Sequence, residues 1–595
     1  MQNYLREIIA LAEGGTKGLY RLVILFAAIS ILDLVGIALV GPYIAIILDP
    51  SILLKAPSLE KIGLVVDLNE QETVVYLLSI VLVGVVAAKA IAGVWISRKI
   101  LVFSQVQEVA LRRRLISAYQ AMPYDLYLQR RYSEYIHTIS QLVSQYSSGV
   151  LVPLLKSLSE LIVAIAMMIV LGVTDWVALV ILLGAVGVLV LAYDLGVKKI
   201  ATHSGKAANE VGIALVQAVS EAMRGFKEIR ILGKEKFFFE RVVRLSKQYS
   251  VHYLRTLFIG AIPRYVLEFG IIVFIVGFAL FSIRRGLDPV GILSTLAVFG
   301  YAALRLVPAA NVVTKSLVDL RANRNAVKRI YDDLGWLDRA TRESPRKSLA
   351  LGGEIEFSSF YVDNVSYGYP GREGIVLDDV NLHLKSGEFI GIVGESGAGK
   401  TTLINILLGL LKPTSGQVLL NGKDIALSPD AASRLVGYLP QELFLISDEL
   451  ALNVGLGFEY SDLNITAVNQ SLDKAQLTML VKQLPYGIRT RLGENGADLS
   501  GGQRQRIAIA RAFYHRRKVW ILDEATNALD QETEQEIHQE ISEYKGEISA
   551  IIITHKMENL RFCDRVYRLE GGTISDQGSY NAVIEKMEVA GVLSK

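Results

Sequence analysis

The sequence predicts a protein of two parts, an α-helical membrane domain followed by an α/β domain with a phosphate-binding loop. Two observations carry this prediction. Long apolar stretches are confined to the first half of the 595-residue chain, and a glycine-rich segment ending in lysine and threonine follows a short apolar strand in the second half. The hydrophobic content of 51% and the mean hydropathy of +0.37 are too high for an ordinary soluble enzyme.

Six apolar stretches are long enough to cross about 30 Å of hydrocarbon. They lie at about 20–48, 74–103, 148–171, 175–197, 257–283 and 289–314. The first is too long for a signal peptide and a second stretch follows it at once, so we expect it to be a retained helix. We therefore expect a membrane domain at 1–335 and a linker at 336–353, followed by the α/β domain at 354–595, which the motifs below identify as nucleotide-binding.

The basic residues predict the orientation in the membrane. Segment 108–145 has five arginines and segment 198–254 has eleven Lys and Arg, whereas the connection 172–176 has none. The two basic segments are therefore expected in the cytoplasm, as helical continuations of the spans with turns at 122–125 and 223–228.

The net charge and the cysteine content indicate which partners and crosslinks to expect. The net charge of +3, without aromatic residues interleaved in a basic stretch, predicts no nucleic-acid partner. The single cysteine, Cys563, can form no disulfide within the chain and is expected in the core.

The phosphate-loop pattern occupies 394–401, between a strand-like segment at 389–393 and a helical segment at 402–411. Its glycines let backbone amides wrap a polyphosphate. The predicted nucleotide-binding residues here are Gly394, Glu395, Ser396, Gly397, Ala398, Gly399, Lys400, Thr401 and Thr402.

A second motif, at 499–503, precedes a basic, alanine-rich helical run and contains Ser500, Gly501, Gly502 and Gln503. Exposed amides at a helix start bind anions. About twenty residues later an apolar strand ends in Asp523 and Glu524, at the edge where α/β sheets place ligands. One carboxylate can hold a metal and the other can orient a water. In isolation, a helix cap and a strand-end charge pair explain these residues equally well.

The order of these motifs resembles the nucleotide-binding domain of ATP-binding cassette proteins, from 354 to about 580. The resemblance implies ATP and Mg²⁺ as cofactors, with Lys400 on the β- and γ-phosphates, Thr401 and Asp523 on the metal, and Glu524 as the catalytic base. Because Glu524 is present, ATP hydrolysis coupled to translocation is expected.

The same resemblance implies roles for three further residues. Tyr369 matches the aromatic residue that stacks on adenine, although Tyr367 competes for this role. Gln441 matches the glutamine that contacts the metal site and the transport domain, and His555 matches the histidine at the terminal phosphate. Asn527 and Lys556 stand where the family often has Ser and Arg, but neither position carries a group that must do chemistry.

One six-span domain with one cassette implies half a transporter. In this family Ser500 and its neighbours close over the phosphate loop of a second cassette, so we expect a homodimer. The turns at 122–125 and 223–228 match the coupling helices that dock on the cassettes in exporters, although plain solvated corners would look the same.

Two membrane stretches, 261–268 and 291–311, resemble the PglK-type flippases of bacterial protein N-glycosylation. The resemblance implies flipping of a polyprenyl-pyrophosphate-linked oligosaccharide across the bacterial inner membrane, with the cassette in the cytoplasm. Two other classes stay open: an exporter of another lipid, a peptide or a drug, and an ATP-gated regulator without transport. The intact Glu524 and Ser500 motif argue against the regulator.

Three basic residues, Lys89, Arg264 and Arg305, fall in the inner half of the predicted spans. Charges within a membrane usually face a cavity and mark a substrate path, so we predict a cationic belt for the pyrophosphate group. The alternative is that Arg264 pairs with Glu268 four residues on and Lys89 extends to the membrane surface.

Overall fold

The structure is a computed structural model that describes residues 2–12, 18, 20–28, 71–174, 176–284, 289–343, 356–372, 374–425, 429–493, 496, 498–523 and 531–589. Glu524, Asn527, most of the predicted first span and the end of the predicted linker lie outside these residues. The chain divides into two compact units. The membrane unit comprises Met1–Ala121 and Arg130–Ala340, and the cassette unit comprises Met122–Gln129 and Thr341–Lys595.

The described residues among the first 343 form helices joined by short turns. Their bounds are α1 Gln2–Leu11, α2 Gln71–Ala121, α3 Tyr124–Tyr127, α4 Tyr132–His137, α5 Val143–Tyr146, α6 Val152–Thr174, α7 Trp176–Arg224, α8 Phe226–Ile231, α9 Glu235–Arg284, α10 Pro289–Ala322 and α11 Arg324–Glu343, with 20–28 also helical. Helix α2 ends just before Pro123, and α7 ends just before Gly225. These breaks confirm the two turns predicted in the basic segments.

Within the described residues, three helical stretches are long and apolar enough to cross a membrane: Ser79–Ala121, Tyr132–Val173 and Glu235–Phe281. The predicted span at 289–314 lies within α10, and the described part of the span at 175–197 lies within α7. The count of six spans stays a prediction.

Two π-helical turns, Thr138–Leu142 and Ser147–Leu151, interrupt the helix that leads into α6. A π turn shifts the backbone hydrogen bonds and often leaves a carbonyl for another donor. Ser104 Oγ donates to the Ser147 carbonyl at 2.9 Å, and Asn323 Nδ2 donates to the Gly149 carbonyl at 3.3 Å. These bonds join the π turns to α2 and to the junction of α10 with α11.

Helix α1 was not predicted. Tyr4, Ile8 and Leu11 share one face at helical spacing and are buried in an apolar cluster with residues of α2 and α11. Tyr4 Oη donates to the Leu320 carbonyl at 2.7 Å, and Tyr146 Oη donates to the Ile8 carbonyl at 2.9 Å. The amino-terminal helix is therefore packed as part of the membrane unit.

Helix α11 extends past the predicted start of the linker. The linker was expected from 336, but the helix continues to Glu343. Residues 339–343, Arg-Ala-Thr-Arg-Glu, mostly favour helix, and Pro345 disfavours helical backbone at the residue before it.

The cassette unit contains two sheets and surrounding helices. Its strands are β1 Ser359–Tyr367, β2 Leu377–Lys385, β3 Phe389–Val393, β4 Ser415–Leu420, β5 Lys423–Asp424, β6 Val436–Leu439, β7 Val519–Asp523, β8 Ser549–Thr554, β9 Arg565–Glu570 and β10 Thr573–Gly578. Its helices are α12 Lys400–Leu407, α13 Pro429–Leu435, α14 Leu450–Val454, α15 Ile465–Lys474, α16 Thr478–Gln483, α17 Gly501–Tyr514, α18 Gln531–Glu543 and α19 Tyr580–Val589.

The larger sheet has the strand order β10-β9-β3-β8-β7-β6, and all its pairings except β9 with β10 are parallel. The smaller sheet, β2-β1-β4-β5, is antiparallel. Strands β3 and β8 are fully buried, as expected for parallel strands covered on both faces. Strands β3, β8, β7 and β6 therefore end side by side, at the edge where such sheets bind ligands.

Candidate nucleotide site

The phosphate loop follows the buried strand β3 and leads into α12. Gly399 is the residue before the helix and has φ +104°, a left-handed conformation that favours glycine. A Cβ atom on Gly394 would lie 2.3 Å from the Leu569 carbonyl oxygen, so no larger residue fits there. The sequence thus folds this segment into a tight loop at a helix start, where backbone amides point outward to an anion.

The side chain of Lys400 folds back and binds carbonyl groups of the phosphate loop. Its Nζ donates to the carbonyl of Gly394 at 2.7 Å and to the carbonyl of Glu395 at 3.0 Å. The ammonium group is therefore held at the mouth of the loop. A bound polyphosphate would offer it stronger, charge-assisted partners at the same place.

Tyr369 lies beside the first turn of α12. Its hydroxyl is 3.1 Å from Thr402 Oγ1, and its ring meets Tyr367 edge to face with centroids 5.1 Å apart. Tyr367 is buried in β1, and burial, with Tyr369 and Asp125 nearby, raises its pKa to about 12. Of the two tyrosines, the half-buried Tyr369 is the one available to stack on a base next to the phosphate loop.

Asp523 ends β7 at the ligand-binding edge. Tyr438, on the neighbouring β6, donates from its hydroxyl to Asp523 Oδ2 at 2.9 Å. Burial, together with the Asp523 charge, raises the pKa of Tyr438 well above its usual value. The structure thus supplies an orienting partner for the predicted metal ligand.

His555 follows β8, the strand between β3 and β7, and its side chain is exposed. It lines a cavity of about 380 Å³ together with the phosphate-loop residues Gly394–Ala398. The structure therefore brings His555 and the phosphate loop together at one cavity. Arg568 of β9 also lines this cavity.

The segment after His555 is fixed by a buried carboxylate. Glu534 of α18 is 2% exposed, forms an ion pair with Lys556 and accepts a hydrogen bond from Asn559 Nδ2 at 2.7 Å. Lys556, which departs from the family pattern, thus has a structural partner. The ion pair holds the backbone next to His555 in place.

Gln441 follows β6 and is exposed. Gln505 of α17 donates to the Pro440 carbonyl at 3.4 Å, and Arg511 of the same helix donates to the Phe444 carbonyl at 3.2 Å and to the Asn453 carbonyl at 3.0 Å. Burial lowers the pKa of Arg511 to about 10. The helix that begins at the second motif is therefore bonded to the loop that carries Gln441.

Ser500 caps α17. Its hydroxyl accepts from the Gln503 amide at 3.2 Å, and the Gln503 side chain accepts from the Ser500 amide at 2.9 Å. The helix-cap interpretation is therefore correct for the local structure, and it fixes the exposed start of the helix. Among the described residues, Ser500, Gly501, Gly502 and Gln503 do not line the cavity beside the phosphate loop.

Sequence reasoning missed three functional candidates: Tyr438, Arg511 and Arg568. Tyr438 precedes Gln441 by three residues, but only strand pairing shows that it meets Asp523. Cys563, by contrast, is buried as predicted, and burial raises the pKa of its thiol to about 12.

Comparisons with known protein families find the same two domains in this chain. The ABC transporter model matches residues 377–527, and the model of the ABC transporter transmembrane region matches residues 24–299. A bacterial Atm1-family ABC exporter with ATP bound has the same fold, with a TM-score of 0.73 over 99% of both chains at 20% identity.

The curated relatives include flippases. The ATP-dependent lipid A-core flippase of Ralstonia nicotianae is 28% identical over 75% of this chain and 74% of its own length. The ATP-dependent lipid A-core flippase of Yersinia pestis is 25% identical over 89% of both chains. ABC transporter B family member 14 of Arabidopsis thaliana is 32% identical over 48% of this chain and 22% of its own length.

The fold and the site together define a membrane-spanning ATPase, with a helical transport domain followed by a phosphate-loop domain that binds ATP. More specifically, residues 24–299 match the transmembrane region of ABC transporters and residues 377–527 match their ATP-binding domain, so the chain has the two domains of an exporter-type half-transporter. The fold class predicted from the sequence is confirmed. So is the predicted activity, ATP hydrolysis coupled to transport.

Proposed function

We propose that a homodimer of this exporter flips a polyprenyl-pyrophosphate-linked oligosaccharide from the cytoplasmic to the outer leaflet of the bacterial inner membrane. The observation that carries the proposal is the guanidinium group of Arg264, exposed on a membrane helix and held in a defined orientation. A diphosphate carried by a lipid is the chemistry that such a group recognises.

Arg264 lies on α9 and donates through Nε to Glu268 Oε1 at 2.8 Å. Within the described residues Glu268 is its hydrogen-bond and ion-pair partner, and the Arg264 side chain is 64% exposed in the single chain. The pairing with Glu268 was the alternative to a binding role. It uses one edge of the guanidinium, however, and leaves the edge formed by the two Nη groups for a phosphate. Glu268 therefore orients the guanidinium group of Arg264 and leaves its second edge available to bind a phosphate.

Lys89 and Arg305 extend the proposed belt. Lys89 is half-buried on α2, and Arg305 lies on α10, where its side chain is outside the described residues. At about 1.5 Å per helical residue, Lys89 is about 22 Å from the outer start of its predicted span and Arg305 about 24 Å from that of its own. Both distances fit the inner half of the membrane, where a head group enters from the cytoplasmic leaflet.

For the nucleotide, we assign the roles expected from the sequence. Lys400 and the phosphate-loop amides hold the phosphates, Tyr369 stacks on adenine, and His555 contacts the terminal phosphate. The hydroxyl of Thr401, the carboxylate of Asp523 and the amide oxygen of Gln441 are hard oxygen donors, which suit Mg²⁺ bound together with phosphates. Among the described residues no cluster of three or more His, Cys, Asp or Glu forms a separate metal site.

The homodimer is proposed because, within the described part of one chain, Ser500 and its neighbours do not line the cavity that the phosphate loop lines. In the proposed dimer, Ser500 and the exposed start of α17 face the phosphate loop of the partner, and the amides there complete the ATP site.

A second cargo class is favoured by the relatives. Those matching most of this chain are named lipid A-core flippases, so a lipid A-core molecule is the alternative cargo. An exporter of peptides or drugs is the more distant alternative.

Stimulation of ATP hydrolysis distinguishes these cargoes. In nanodiscs, the purified protein should hydrolyse ATP faster when polyprenyl-pyrophosphate oligosaccharide is added, because bound cargo favours the state in which the cassettes close. The same polyprenyl pyrophosphate without sugar and a lipid A-core preparation serve as matched additions. Stimulation by lipid A-core alone would replace the proposed cargo with the alternative.

A further inference from the structure

Asp333, on α11, is a buried carboxylate outside the nucleotide site. The residue is 3% exposed. Its Oδ1 accepts from Arg130 Nη1 at 2.8 Å, and its Oδ2 accepts from the Tyr119 hydroxyl at 2.8 Å. Both oxygens are thus bonded, as a buried charge requires.

The two donors come from either side of one loop. Tyr119 lies in the last turn of α2, which ends at Ala121, and Arg130 follows the segment Met122–Gln129. That segment carries the short helix α3 and belongs to the cassette unit, where Tyr124 packs against the apolar core. Asp333 therefore binds both limbs of the loop whose tip belongs to the cassette. Its own helix is the last one before the chain continues into the cassette.

Neighbouring contacts hold the two donors in place. The Arg130 guanidinium lies 5.3 Å from the ring centroid of Trp336, and the Tyr119 ring meets Tyr135 edge to face at 5.0 Å. A second ion pair, Arg329 with Glu134 at 2.7 Å, joins the same helix to α4. In that second pair the side chains are 29% and 27% exposed, whereas the Asp333 side chain is 4% exposed.

We infer that Asp333 is a positioning residue that couples the cassette to the membrane helices. Because one carboxylate bonds both limbs of the loop to α11, a movement of α3 with the cassette is transmitted to α2, α4 and α11 together. Breaking a buried pair by removing one partner is strongly unfavourable, so these bonds should persist while the helices move. This role is independent of the cargo and would hold for any substrate of this exporter.

The test compares Asp333→Asn with a matched control, Glu134→Gln, which breaks the more exposed pair between α11 and α4. Spin labels are placed on Lys236→Cys in the membrane unit or on Met479→Cys in the cassette unit, both exposed. Cys563 is buried and should not react. Distances between the two copies of a label are measured without nucleotide and after trapping with ATP and vanadate.

In Asp333→Asn, the cassette label should change its distance on trapping as in the parent, and kcat and KM for ATP without cargo should stay near the parent values. The fraction of molecules in which the membrane label responds should fall about tenfold, within the usual range of coupling between sites. Glu134→Gln should respond like the parent. A normal membrane-label response in Asp333→Asn, or an equal loss in Glu134→Gln, would overturn the inference.

Tyr119→Phe provides a milder test if Asp333→Asn does not fold. It removes a single donor and keeps the ring contact with Tyr135. A smaller loss of the membrane-label response, with ATP hydrolysis retained, is expected. An unchanged response in this variant would also contradict the inference.

Discussion

Glu524→Gln should slow ATP turnover by about two to three orders of magnitude, the usual effect of removing one group that stabilises the transition state. Glu524 directly follows Asp523, which ends β7 at the ligand-binding edge. The variant keeps Lys400, Asp523 and the phosphate loop, so ATP binding should be retained. Single-turnover hydrolysis and equilibrium ATP binding measure the two effects separately. Turnover near the parent rate would show that another group orients the water.

The same variant tests the dimer. With ATP, Glu524→Gln should accumulate as a closed dimer in which Ser500 of one chain faces the phosphate loop of the other. Cysteines at Ser500 and at Ser396, both exposed positions, should then form a crosslink between chains with a short bifunctional reagent only when ATP is present. The parent carries a single cysteine, the buried Cys563, which should give no background. Crosslinks confined to one chain would contradict the proposed arrangement.

Replacing Arg264 and Arg305 together by alanine should abolish flipping. The loss of two charge-assisted contacts should lower the affinity for the pyrophosphate group by roughly two to four orders of magnitude. Hydrolysis without cargo should continue, since both residues lie on membrane helices. Flipping in liposomes and binding of the pyrophosphate head group are the measurements.

Two control variants refine this result. Glu268→Gln removes the orienting partner of Arg264 but keeps the guanidinium, and should weaken flipping much less. Arg284→Ala removes an arginine at the carboxyl end of α9, about 30 Å along the helix from Arg264 at 1.5 Å per residue. It should leave flipping unchanged. Normal flipping by the Arg264 and Arg305 double variant would rule out the belt.

The parts of the fold that depend on local pattern were predictable from the sequence. Strand β3, the phosphate loop and the capped helix at Ser500 each carry their own turn and capping residues. The breaks before Pro123 and Gly225 were also predictable, because both residue types interrupt helices. The order of the motifs along the chain is sufficient to identify the cassette.

Contacts between distant segments were not predictable. Tyr438 meets Asp523 only because β6 pairs with β7, and Asp333 meets Tyr119 and Arg130 only because α11 packs on both limbs of one loop. The bond between Arg264 and Glu268 was predictable from their spacing of four residues, but the guanidinium edge left for a phosphate required the geometry. Helix α1 was missed although Tyr4, Ile8 and Leu11 have helical spacing; its pattern is short and precedes a much stronger apolar stretch.

ATP-driven flipping in proteoliposomes tests the identity of the cargo most directly. Vesicles would contain a fluorescent polyprenyl-pyrophosphate oligosaccharide, and a membrane-impermeant quencher would report the leaflet that holds it. With outward-facing cassettes, ATP should move the labelled lipid away from the outer leaflet of the vesicle, and the Glu524→Gln variant should not move it. If the parent protein leaves this lipid in place with ATP but moves labelled lipid A-core in the same vesicles, the proposed cargo is wrong.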